Sequence, residues 1–145
     1  MQEKRLTTRL TTYWDMLRKK DIMPDFATLN SAALQDVWHN CIVLKLEPGT
    51  DNENRRYYVH AVGDNIIHMY GDDPSGQYLT PKQRQFQAAK VITKAHEILD
   101  NPQPLFDEGK FVNTRSKVVK YRSVVIPFGN TEVTHLLAGL SWREF

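Results

Sequence analysis

Apolar residues recur along the first twenty positions at helical spacing. Leu6, Leu10, Tyr13, Trp14 and Leu17 fall three or four apart and form one stripe, which predicts an amphipathic helix over about residues 3–20. Basic Arg18, Lys19 and Lys20 close it, where cations suit the helix dipole. Met23-Pro24-Asp25 stops the helix, because proline disfavours helical backbone before it and has no N–H to donate. Asn30 reads as the cap of a short helix, Ser31 to Trp38. From there the period changes to two. His39–Leu46 and Arg56–Val62 read as strands joined across the turn signal Pro48-Gly49-Thr50-Asp51-Asn52.

Gly63 ends the second strand, and Asp64 is expected to cap a short helical turn carrying Ile66, Ile67 and Tyr70. After the loop Gly71–Gly76, Thr80-Pro81 has the cap-then-proline form of a helix start, predicting a long helix to about Leu99. Asn101-Pro102-Gln103-Pro104 breaks it. Leu105–Val112, Val118–Phe128 and Val133–Trp142 then predict three more strands, the first with a weak point at Gly109. Two strands, a helical middle and three strands alternate too little for a doubly wound parallel sheet. The expected class is α+β: a five-stranded antiparallel sheet with helices on one face and the N-terminal helix covering the other. Leu136 and Leu140 alternating with Leu137 suit a last strand covered on both sides.

Composition narrows the class of function. One cysteine, Cys41, rules out an internal disulfide and leaves no set of thiolates for zinc. No apolar run approaches the roughly 18 residues of a spanning helix, and Lys4, Arg5 and Arg9 precede no signal-type core. The expectation is a cytoplasmic protein without a membrane. The net charge of +2 is too small to argue for nucleic acid, but it is unevenly spread. Residues 1–20 carry +4, residues 21–80 carry −6 and residues 81–145 carry +4. Solvated faces account for this most simply, with docking or self-association as the sharper reading.

Four stretches resemble the PAS superfamily, and more narrowly small stand-alone bacterial PAS proteins: Leu10-Thr11-Thr12-Tyr13-Trp14-Asp15-Met16-Leu17-Arg18, Pro24 to Trp38, Arg56-Tyr57-Tyr58-Val59-His60-Ala61-Val62-Gly63, and Lys120-Tyr121-Arg122-Ser123-Val124-Val125-Ile126-Pro127-Phe128. The resemblance divides the chain into an N-terminal amphipathic helix, 1–22, serving as interface or sheet cover, and one PAS-like domain, 23–145. It implies a sensor fold enclosing a small pocket, no catalytic activity, and a ligand that in relatives is haem, flavin, a small metabolite, a cyclic nucleotide or nothing. Output is expected through a separate signalling protein, and a homodimer through Leu6, Leu10, Tyr13, Trp14 and Leu17.

The candidate pocket residues are Tyr58, His60, Val62, Ile67, His68, Tyr70, Tyr121, Ser123, Val125 and Trp142, with strand parity left open because a one-residue slip exchanges the faces. The flavin-photosensor branch of the family carries its reactive cysteine on the helix after the second strand. Residues 63–81 contain none, so the resemblance argues against flavin–cysteine photochemistry, and Cys41 reads as a small core residue. For haem, His68 is the best-placed axial ligand, with His96 and His60 behind it, and each reads more simply as structural. No metal site is expected. Two rival classes stay open. Ser123, His60 and Asp64 could form a hydrolytic set, although no nucleophile-elbow or phosphate-loop motif supports it. The stretch 110–122, with Lys110, Arg115, Lys117, Lys120 and Arg122 interleaved by Phe111 and Tyr121, could bind nucleic acid, although Asp107 and Glu108 interrupt the adjoining charge.

Overall fold

The computed structural model describes residues 2–48, 55–81 and 92–145. Helix α1 (Gln2–Arg18) leads into three short 3-10 turns, Phe26–Thr28, Ser31–Leu34 and Trp38–Asn40. Strands β1 (Cys41–Leu46) and β2 (Tyr57–Val62) follow, then α2 (Asp64–Tyr70), β3 (Tyr78–Leu79), α3 (Ala95–Asp100), β4 (Leu105–Val112), β5 (Val118–Gly129) and β6 (Val133–Glu144). The strands form one antiparallel sheet in the order β3-β2-β1-β6-β5-β4. The sixth strand, β3, is two residues long and too short to show a period.

Three other expectations change in detail. The helix from Ser31 to Trp38 is replaced by separate 3-10 turns, although the Asn30 side chain does cap the first by accepting from the Ala32 N–H at 3.1 Å. Asp64 is the first residue of α2 and not its cap. Gly63 precedes it in extended conformation, with no side chain to bond the helix end. Of the helix expected from Thr80 to Leu99, the described part is α3, entered through a turn at Ile92–Lys94, and residues 82–91 lie outside the described residues.

The sheet is packed on both faces. On its inner face Ile42, Leu44, Leu46, Tyr57, Val59, Val125, Leu136, Ala138 and Leu140 meet Ile66, Met69 and Tyr70 of α2 and Ala95 and Ile98 of α3. On its outer face Cys41, Val43, Val124, Ile126, Phe128 and Leu137 meet Leu6, Leu10, Tyr13 and Trp14 of α1. Strand β1 and the middle of β6, Leu136 to Leu140, are therefore apolar at nearly every position, because both sides are dry there.

Two features seat α1. The Trp14 indole N–H donates to the Pro127 carbonyl at 2.7 Å, and the Tyr13 hydroxyl accepts from the Asn30 N–H at 3.0 Å. Pro127 lies beyond the last β4 partner of β5, at Val125, so its missing N–H breaks no bond to β4. Gly139 makes the close approach possible: a Cβ there would stand 2.2 Å from a Leu10 methyl. No helix among the described residues is long and apolar enough to cross a membrane.

Candidate functional site

The inner face carries the aromatic side chains with polar tips. Tyr70 at the end of α2, Phe111 on β4 and Tyr121 on β5 form a run of rings, with centroids 5.7 Å apart for the first pair and 6.0 Å for the second. Trp142 packs against the same cluster, half-buried. Tyr70 is fully enclosed, and its hydroxyl has no hydrogen-bond partner among the described residues. Burial, and next the neighbouring Tyr121, push its phenol well above the ordinary range, so it is held as a neutral O–H with an unused donor. Tyr57 is pushed up to about 12, again by burial first, with Arg55 opposing. A buried hydroxyl without a partner is costly, which makes this atom the most informative in the cluster.

Tyr70 is held in place by the turn between β4 and β5. The last carbonyls of α2 accept three side-chain donors in succession: Arg115 Nη1 to His68 at 2.6 Å, Asn113 Nδ2 to Met69 at 3.1 Å and Thr114 Oγ1 to Tyr70 at 3.3 Å. Asn113 is buried, and its Oδ1 accepts the N–H groups of Arg115 and Lys117 at 3.0 Å each. Helix ends leave such carbonyls unsatisfied, so the turn completes the helix and fixes the ring beyond it. Gly71, in left-handed conformation at φ 86°, ends α2 and leaves room for Thr114.

The structure sorts the ten candidate pocket residues. Val62, Tyr70, Tyr121, Val125 and Trp142 belong to or pack on the inner cluster, and alternation along β5 places buried Ser123 there too. Ile67 is half-buried but is not part of the cluster, while His68 is exposed and contributes its carbonyl only. Tyr58 and His60 face the other way. A bulge causes the split: β1 pairs Leu44 with Val59 and Val43 with Ala61, so His60 is an extra residue and the parity of β2 changes across it. Sequence alternation missed Phe111, and the Asn113-Thr114-Arg115 latch left no sequence signal because its partners lie 44 to 47 residues away.

His60 instead joins an outer-face cluster. Phe26 stacks on His135 at 3.6 Å, with His60 and Phe128 edge-on to Phe26 at 6.2 and 6.0 Å. Burial, then Lys45 and His60, hold His135 down at about 4, with Asp25 opposing. Cys41 lies on this face beneath α1. Its Sγ–H donates to the Val37 carbonyl at 3.3 Å, and burial together with Asp36 pushes the thiol up to about 12.

These placements bear on the cofactor chemistries. Cys41, the one cysteine, is separated from the inner face by the sheet, so the residues do not fit a cysteinyl–flavin adduct. His60, His68 and His96 are exposed, and none points into the inner cluster as a haem ligand would. No group of three metal-ligating side chains occurs among the described residues. The hydrolytic set also comes apart, because Ser123 and His60 lie on opposite faces of the sheet. On the basic stretch, Phe111 and Tyr121 are buried inward while Lys110, Lys120 and Arg122 point outward, so rings and cations do not share a surface.

The four helix residues Leu6, Leu10, Tyr13 and Trp14 are buried against the chain's own sheet, and Leu17 packs half-buried at their edge. A dimer using this same stripe requires α1 to leave its sheet and cover that of a second copy.

No family model and no curated protein matches the chain. Solved structures do. A light-oxygen-voltage domain studied with a flavin analogue superposes with a TM-score of 0.56 at 12% identity, covering 81% of this chain and 87% of that one. The PAS-B domain of Drosophila melanogaster Cycle with bound glycerol gives 0.46 at 12% identity over 70% of this chain and 99% of that one. The PAS domain of Bordetella pertussis BvgS gives 0.46 at 15% identity, over 74% and 77%. The last two scores carry no argument by themselves, and the first shows the architecture alone. With its antiparallel sheet, helices on the inner face and α1 on the outer, the chain has a PAS-like α+β fold.

Proposed function

We propose that the chain is a sensory or signalling module that acts by binding a partner protein and takes a small ligand on the inner face of its sheet. The observation that supports this is the Tyr70 hydroxyl, buried and without a partner among the described residues, at the end of the run Tyr70–Phe111–Tyr121. Rings with few convergent polar atoms are the usual lining of small-molecule sites. The matching ligand is small and mostly apolar, with one acceptor for the phenol proton. Such a ligand favours the packing of α2 and the β4–β5 turn in which the acceptor reaches Tyr70, and shifts the population accordingly.

Native and denatured mass spectra of the purified protein test the reading. Extra mass lost on denaturation is expected, with Tyr70→Phe losing that mass while keeping its far-UV circular dichroism. A bare wild-type mass, together with a Tyr70→Phe variant more stable by about 1 kcal/mol, would overturn the proposal. The hydroxyl would then be only an unsatisfied buried group.

A further inference from the structure

Helix α1 covers only part of the outer face. Its contacts on β5 and β6 include Val124 and Gly139, and beyond them Lys120, Arg122 and Arg143 of the two strands are exposed. The register there sets Lys110 of β4 opposite Lys120 of β5, and Lys120 opposite Arg143 of β6. Alternation puts all three on the outer side, so three cations stand abreast across three strands. Like charges directly opposite one another destabilise a sheet. The next row is Glu108, Arg122 and Ser141. Glu108 pairs with Arg122 at 3.5 Å, and no ion pair among the described residues reaches Lys110, Lys120 or Arg143. The Ser141 hydroxyl is buried without a partner among the described residues.

These two rows line a shallow groove of about 730 Å³, closed at one side by Phe145. Lys120 Nζ lies 4.8 Å above the Phe145 ring, which itself remains 63% exposed. Phe106, on the same face of β4, is 59% exposed. The groove thus joins an uncompensated cationic row to apolar surface.

We infer that this open part of the outer face docks an acidic polypeptide segment whose carboxylates lie along the Lys110–Lys120–Arg143 row and whose apolar side chain packs against Phe145 or Phe106. The match rests on charge complementarity and on apolar flanks. Nucleic acid fits less well, because Phe111 and Tyr121 are turned inward and the two exposed rings, Phe106 and Phe145, stand at opposite ends of the rows and make no continuous stacking surface. A second copy fits less well too. A two-fold axis passing through the row would set its three cations against themselves.

The test is fluorescence anisotropy with the whole chain and four probes: a short labelled peptide of Glu-Glu-Leu repeats, an oligoglutamate of equal length, a single-stranded oligonucleotide of equal charge, and vesicles containing phosphatidylserine. The Glu-Glu-Leu peptide should bind at near-physiological salt, at least about threefold tighter than oligoglutamate. Lys110→Glu should weaken it about tenfold, through loss of one attraction and gain of one repulsion. The same substitution should raise the urea midpoint of the free protein, since it sets an anion opposite Lys120. If it fails to fold, Lys110→Gln replaces it in both measurements. Tighter binding of the oligonucleotide or vesicles, equal binding of the two peptides, or unchanged peptide affinity in the variant would each overturn the inference.

Discussion

The two faces of the sheet solve the same problem differently. The part of the outer face beneath α1 is covered by one long helix with an aliphatic and aromatic stripe, and both polar tips on that stripe, Trp14 and Tyr13, are bonded. Among the described residues the inner face is covered by the short helices α2 and α3, and there Tyr70 is left with an unused hydroxyl. A satisfied, continuous interface resists change, whereas one assembled from short pieces around an orphaned polar group has something left to bind. The difference sets the fully bonded seat of α1 against an inner face that keeps an unused donor.

The sharpest way to break that comparison is at α1. Leu10 is fully buried against the outer face, so Leu10→Asp should cost more than about 4 kcal/mol and leave little folded protein, read by urea denaturation. A variant that keeps its fold and its mass in solution would show that α1 does not hold the sheet. Asn113→Ala comes next, because it unlatches the β4–β5 turn from α2. The loss of a bond to Met69 and of an acceptor for two N–H groups should cost about 1–3 kcal/mol. Faster amide exchange in α2 than in α1 should accompany it, and equal acceleration in both would put the latch outside the inner face.

The smallest effect belongs to pH. His135 titrates near 4 in the folded chain against about 6.5 unfolded, so between those values the unfolded chain binds more protons. Its contribution is complete above about pH 6.5 and is lost as pH falls through 4. Subtracting the urea midpoints of His135→Phe from those of the wild type across that window isolates it, and a flat difference would mean that the ring against Phe26 is not held neutral.

Much of this architecture is legible in the sequence because long elements average over many side chains. The α1 stripe and the two-sided apolarity of β6 both point to a covered sheet. Elements of two to four residues offer no such averaging, which is why Tyr78–Leu79 carries no strand signal and the segment after Asn30 reads as one helix. In the candidate site, Tyr70 is reached through its short helix and Tyr121 and Trp142 through strand alternation, whose parity the sequence leaves open. The bulge at His60 defeats the same argument on β2, because one inserted residue reverses the facing of every later position on the strand.

The close fit of Leu10 over Gly139 has a consequence for descent. The two positions share one volume, so neither can vary alone. Among relatives of this chain, a larger residue at position 139 should be found with a smaller one at position 10, and this paired drift would record the contact between helix and sheet in sequences whose overall identity has faded.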